Sequence, residues 1–300
     1  MRIRPAPTVF ATVLLFALLA VPANASKGAY WGTYVSPPSG ESPLGALTSF
    51  ESMVGRRFHA YRFYRPIDNG DLGSSIATTM QRRGQPVYLN ITAQFRGRCI
   101  PWRNVTAGRY DRQFHVIARA VRKYRYRVYF SWNHEMENTC RTGTAADYRA
   151  SYKHIRHIFK AERATNARWV VVFAASYFKE HAASVEHFLP KRYDMIGVDG
   201  YNRAGTWRTP AQIFGAAHRF AAKRGSRLFI GEIGCEESPS DAGAKAAWIA
   251  AAATTFQRWN VGAVLWTNSP TGGGGDYRAD SSQAALAAYQ QAGDMAFFGR

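Results

Sequence analysis

Cysteine and acid are both scarce in this chain of 300 residues, which has 3 cysteines and only 20 aspartates and glutamates. The cysteines, Cys99, Cys140 and Cys235, show no zinc-finger spacing. The acids face 39 lysines and arginines, a formal charge of +19. Such an excess favours anionic neighbours: nucleic acid, cell-wall polymers or acidic polysaccharide. There is no aromatic RNA-binding signature and the arginines are spread along the chain, so nucleic acid is not an expected partner. Glycine-rich phosphate loops are missing as well. Val35-Ser36-Pro37-Pro38 follows the first apolar run, and the run from Thr271 to Gly275 lacks the Lys-Ser/Thr of a P-loop. We find no linker, repeat or accessory domain.

One long apolar run exists, and it lies at the start. Arg2 and Arg4 precede apolar residues from Val9 to Val21, and Ala23-Asn24-Ala25 follows. This is the pattern of a secretory signal, with cleavage expected near Ala25. A spanning anchor needs about 20 apolar residues, more than this run supplies. No later stretch is long enough to cross a bilayer. The expected mature chain, 26–300, is therefore secreted and makes no stable membrane insertion. A monomer is expected.

What the chain has in quantity is strand and helix patterns in alternation. Apolar runs at 29–35, 58–64, 86–91, from 128, 169–174, 193–199, 227–232 and 261–266 read as eight strands. Helical patterns at 44–53, 71–83, 110–123, 145–161, from Thr209, 241–259 and 281–291 separate most of them. Thr209-Pro210-Ala211-Gln212 carries the capping box of a helix start. The strands are unbroken apolar runs, as expected for parallel strands covered by helices. Eight such units in about 275 residues suit the α/β class as a single closed (β/α)8 TIM barrel.

Two acids stand where barrel chemistry is placed. Val128-Tyr129-Phe130-Ser131-Trp132 is apolar and aromatic, then ends abruptly in Asn133, His134 and Glu135. Glu232 ends strand seven. In a barrel both would point into the same mouth from different sides. Two carboxyl groups about 5 to 5.5 Å apart are what retaining glycoside hydrolysis uses. One must be neutral to protonate the leaving oxygen, and the other ionised to attack the anomeric carbon. A neighbouring negative charge raises the pKa of the acid. His134-Glu135 does not make a zinc protease helix, because the second histidine would fall at Asn138.

Trp132-Asn133-His134-Glu135-Met136 resembles the acid/base motif of glycoside hydrolase family 26, chiefly β-mannanases with some β-glucanases and β-xylanases. Val198-Asp199-Gly200-Tyr201-Asn202, Phe229-Ile230-Gly231-Glu232-Ile233-Gly234, Val264-Leu265-Trp266 and Trp31-Gly32-x-Tyr34 extend the resemblance in order along nearly the whole mature chain. It implies Glu135 as acid/base and Glu232 as nucleophile. It also implies that His134 contacts the sugar or the catalytic carboxylates, that Tyr201 hydrogen-bonds the nucleophile with Asp199 nearby, and that Trp266 forms a platform under the sugar. Trp31 and Trp102 are further subsite candidates. The chain departs from the pattern at Glu137-Asn138, where the family usually continues Asn-Gly, and at Ser131, where many mannanases carry arginine.

The function expected is a secreted retaining endo-β-glycanase acting on polysaccharide, β-1,4-mannan first, with no cofactor and no metal. The alternatives are a β-glucanase, a β-xylanase or an acidic-polysaccharide hydrolase on the same scaffold, or a carbohydrate-binding barrel without activity. Cys99 and Cys140 each follow one of two consecutive strands. A bridge between those loops is the pairing this order suggests, leaving Cys235 over, although three cysteines do not by themselves decide it.

Overall fold

A computed structural model describes residues 28–299. The expected signal segment, 1–25, lies outside the described residues. Eight parallel strands close into a barrel: β1 (Tyr30–Val35), β2 (Ala60–Pro66), β3 (Val87–Thr92), β4 (Val128–Trp132), β5 (Ala167–Ala174), β6 (Met195–Asn202), β7 (Leu228–Cys235) and β8 (Ala263–Asn268). Each pairs with its sequence neighbours, and β8 returns to β1 through Tyr30↔Ala263 to Val35↔Asn268. This is the expected (β/α)8 barrel.

Ten helices surround the strands among the described residues: α1 (Pro43–Val54), α2 (Ser75–Arg82), α3 (Trp102–Thr106), α4 (Asp111–Lys123), α5 (Ala145–Ala161), α6 (Ala175–Glu180), α7 (Ala182–Phe188), α8 (Pro210–Ala222), α9 (Ala244–Arg258) and α10 (Gln283–Asp294). Local chemistry starts several of them. Thr209 and Gln212 form the reciprocal capping box read from the sequence, and Thr144 with Asp147 forms another. Two strands run further than expected, β6 to Asn202 and β7 to Cys235. The gap between strands five and six holds two short helices broken at His181. The short α3 and a two-residue ladder pairing 94–95 with 98–99 have no counterpart in the sequence reading.

The strand faces alternate between two environments. Tyr88, Tyr129, Val170, Val172, Phe229, Ala263 and Leu265 fill the barrel interior as one apolar cluster. The opposite faces pack under the helices in a larger cluster. Two residues further along the inward faces of β2, β3 and β4, the lining becomes Arg62, Asn90 and Ser131, all wholly buried. The apolar cluster thus plugs the barrel beneath a polar layer at the C-terminal ends of the strands.

Cys99 and Cys140 are disulfide-bonded, with Cα atoms 5.3 Å apart. The bond ties the ladder after β3 to the loop after β4, and closing a loop of this separation contributes about 4 kcal/mol in the chain-entropy account. Cys235 is free and buried, and burial pushes its thiol up to about 12, which disfavours the thiolate.

Candidate active site

The chain leaves β4 on two residues of positive φ, Asn133 at 46° and Glu135 at 48°. Asparagine tolerates this conformation; for glutamate it costs about 1–3 kcal/mol. Hydrogen bonds from both neighbouring strands hold it. Asn133 donates its backbone N–H to Ile91 O at 2.7 Å, and Glu135 donates to Val172 O at 2.9 Å. The Asn133 side chain accepts from Ala93 N at 2.9 Å and donates to Thr139 O at 2.7 Å. Glu137 adds a further tie, accepting from Ala174 N at 2.6 Å. Burial pushes the Glu137 carboxyl up to about 8, with the charge of Glu135 adding to the effect, so at neutral pH it is a largely uncharged anchor.

Glu232 reaches the interior through a β-bulge. Phe229 points into the barrel. Strict alternation would therefore turn Gly231 and Ile233 inward and Glu232 outward. The register shows one extra residue in β7. Ile230 pairs with Val198 and Glu232 with Asp199, while on the other side Ile230 pairs with Val264 and Ile233 with Trp266. The bulge returns Ile233 to the outer core and aims Glu232 inward. It also needs glycine at 231, where a Cβ would lie 2.5 Å from Asp199 Oδ1.

Arg62 organises what meets there. Its Nη2 lies 2.8 Å from Glu232 Oε1 and 3.4 Å from Asp199 Oδ2, and its Nη1 donates to the Gly231 carbonyl at 2.6 Å. The guanidinium sits over the rings of Tyr64 and Tyr88, at 4.2 and 4.7 Å. The Tyr201 hydroxyl donates to Glu232 Oε2. Burial alone would raise the Glu232 pKa, but Arg62, His134 and hydrogen bonds from Tyr201 and Asp199 outweigh it and bring it to about 2. Asp199 is driven the other way. Burial and the adjacent Glu232 charge raise it well above its ordinary value despite Arg62, which favours its protonated form.

His134 is held neutral, at about 4, by burial and by Arg62. A hydrogen-bond relay sets its tautomer. Tyr88 and Ser131 are 2.8 Å apart, and Ser131 donates to Asn90 Oδ1 at 2.5 Å. Its one proton is then used, so the Tyr88 hydroxyl is the donor to it. Asn90 Nδ2 donates to His134 Nδ1 at 2.6 Å, which leaves the proton on Nε2, 3.6 Å from Glu232 Oε1. Ser131, where many mannanases carry arginine, is a member of this relay.

Glu135 and Glu232 line one cavity of about 360 Å³ together with His134, Asp199 and Tyr201. Burial raises Glu135 to about 7, the Glu232 charge adds to this, and Arg62 works against it. The two carboxyls therefore differ as an acid and a nucleophile must, one protonated and one ionised in mildly acidic solution. If Glu135 supplies the proton, kcat/KM is expected to fall about tenfold per pH unit above roughly 7, and to persist on the acid side until Glu232 protonates or the fold is lost. A pH–rate profile on a soluble oligosaccharide checks this. A fall beginning near 4.5 would remove Glu135 from the acid role.

The tryptophans are elsewhere. Thr267 points to the mouth, where its hydroxyl meets Tyr201 at 3.2 Å, so its neighbour Trp266 faces outward. Trp266 is 1% exposed, packs on Tyr289 and donates to Tyr277 O at 2.8 Å. Trp31 lies on the outer face of β1 against Tyr289 and Phe298, and Trp102 is wholly buried between Tyr148 and Phe188. None of the three lines the cavity, which corrects their reading as a platform and subsites. They are core, each such aromatic pair adding about 1 kcal/mol beyond burial. Arg62 and Asn90 join the site without having been singled out in the sequence, and Glu137 joins it as an anchor. The signal for the first two was a polar side chain inside an otherwise apolar strand.

His134, Asp199 and Glu232 place potential ligand atoms within 4.8 Å of one another. Arg62 already meets Asp199 Oδ2 and Glu232 Oε1, so a metal ion would face a fixed cation beside it. The donor set fits a buried ion pair better than a metal site.

No family model matches the chain. Over 90% of its length it is 26% identical to endoglucanase H of Acetivibrio thermocellus, and it spans 31% of that protein, about a third of the relative's length. Among solved structures, the catalytic domain of a GH26 endo-β-1,4-mannanase from Bacillus sp. JAMB-750 superposes with a TM-score of 0.68 at 13% identity, covering 91% of this chain and 87% of that one. A modular endo-β-1,4-mannanase from Cellulomonas fimi gives 0.66 at 11% identity, covering 91% and 72%. The resemblance to glycoside hydrolase family 26 thus extends from sequence motifs to the fold.

Proposed function

We propose that the chain is an endo-acting β-glycanase of the family 26 kind, cleaving β-1,4-mannan-type polysaccharide by double displacement. The observation that carries this is the meeting of two carboxyls in one cavity in unlike surroundings, Glu232 paired with Arg62 and Tyr201 while burial and the Glu232 charge raise Glu135 to about 7. Glu232 attacks the anomeric carbon while Glu135 gives its proton to the departing glycosidic oxygen. The glycosyl ester that forms has no charge at Glu232, so a cause of the raised Glu135 pKa disappears. Glu135 is left as a carboxylate, takes a proton from water, and the resulting oxygen nucleophile releases the sugar and restores Glu232. Arg62 and the Tyr201 hydroxyl hold the nucleophile; the neutral Asp199 keeps a second negative charge away from it.

Secretion fits the Cys99–Cys140 bond, since disulfides persist in oxidising compartments. No helix of the described residues is long and apolar enough to cross a membrane. A β-glucan substrate is the second reading. It is favoured by the name of the sequence relative and by Ser131 in place of the arginine that many mannanases carry. The test is a panel of mannan, glucomannan, lichenan, xylan and an acidic polymer, with the anomer of the first product read by NMR. Fastest internal cleavage of mannan with retained configuration is expected. Preference for lichenan would move the specificity to glucan, inverted product would refute double displacement, and binding without cleavage would leave an inactive barrel.

A further inference from the structure

A second and larger hollow takes no part in this chemistry. It has a volume of about 940 Å³ and lies outside the barrel, between α5 and the segment that joins α7 to β6. It meets β5 at Ala167 to Trp169, whereas the carboxylate cavity meets the same strand at its other end, at Ala174. The two openings therefore sit toward opposite ends of the barrel.

Eight of the residues lining it are lysine or arginine, against one acid, Asp194. Asp194 is engaged, its Oδ2 accepting from Trp169 N at 2.7 Å. Among the described residues none of the eight forms an ion pair with a carboxylate. Arg156 lies 5.0 Å over the Trp169 ring, and its buried Nη1 meets no carboxylate or carbonyl. On α5, Arg149 with Lys153 and Arg156 with Lys160 set like charges four residues apart, which costs a helix about 0.2–0.5 kcal/mol per pair. Arg149 and Arg168 donate to backbone carbonyls, but no carboxylate offsets the charge gathered here, and an anionic ligand would.

The hollow is too long for one small anion, because its cations come from α5, the turn after it, the start of β5 and the approach to β6. A polymer fits better. Its aromatic floor is closed over, with Tyr152, Phe159 and Trp169 at 0%, 2% and 5% exposure, so no ring is available to stack on nucleobases. We propose that this groove is a non-catalytic site for a carboxylate-bearing polysaccharide, holding the protein on an acidic polymer while the mouth at the other end of the barrel works. The choice of a polysaccharide rests on the function proposed above; the array of cations does not.

The test is binding of polygalacturonate by isothermal titration at low salt. Lys153→Ser, Lys160→Ser, Lys191→Ser and Arg192→Ser are combined, all four side chains being exposed. A control combines Arg57→Ser, Arg82→Ser, Lys123→Ser and Lys223→Ser, equally exposed and outside the groove. The groove variant is expected to bind at least about 10-fold more weakly. The control should stay within about twofold. Both should cleave a neutral oligosaccharide at the parental rate. Equal weakening in the two variants would reduce the effect to net charge and overturn the site. So would an unchanged groove variant, or tighter binding of a single-stranded oligonucleotide than of polygalacturonate by the parental groove. If no glycan is hydrolysed but the two variants still differ in binding, the catalytic reading falls and the groove stands.

Discussion

Glu232→Ala is expected to lower kcat on polysaccharide by at least about 10⁴-fold, equivalent to roughly 5.5 kcal/mol of barrier. The loss follows from its place in the site. It is an ionised carboxylate in the mouth, held by Arg62 and Tyr201 and lowered to about 2. Without it no ester can form. The substitution also takes away the nearer partner of Arg62, leaving Asp199 at 3.4 Å, and removing one partner of a buried pair costs about 3–5 kcal/mol of stability. Glu232→Gln, which keeps the shape and a hydrogen-bonding oxygen, separates the two effects. It should unfold closer to the parental temperature and be as inactive. Azide offers a second check in Glu232→Ala. A small anion in the vacated space can attack the anomeric carbon, giving a glycosyl azide of inverted configuration. Parental turnover in either variant would end the assignment.

Glu135→Ala should discriminate between leaving groups. A polysaccharide leaves as a poor alkoxide and needs the proton, so its cleavage is expected to fall about 10²–10⁴-fold. A dinitrophenyl glycoside leaves without help, so its first step should be nearly untouched. The second step still lacks its base, which predicts a burst of phenol followed by slow turnover and an apparent fall in KM. Azide, needing no deprotonation, should restore turnover. Equal losses on both substrates would mean that Glu135 does not act as an acid. Stopped-flow release of dinitrophenolate measures burst and steady state in one trace.

Glu135 was legible because an apolar strand stopped on a run of polar groups, and Glu232 as a single acid within a second apolar run, although β7 continues past it to Cys235. The tryptophans were misread for a physical reason. A barrel strand is apolar on both faces, so its composition carries no alternation that says which side is in. Trp266 and Thr267 are adjacent, and only the closed barrel shows that the threonine meets Tyr201 while the tryptophan lies against α10. The bulge at Gly231 was equally hidden, since one extra residue in a strand leaves no mark on an apolar run. Arg62 is a charge within an apolar strand, but its partners lie more than a hundred residues away on β6 and β7.

The order of residues was enough to determine eight strands, most of the helices between them, the barrel they make and two acids in or just after apolar runs, because periodicity and caps are local properties. Which side chains share the mouth, and which acid holds its proton there, was decided only in three dimensions. Those outcomes depend on burial and on charges a few ångströms apart in space, and both are made by strands that the chain keeps far apart.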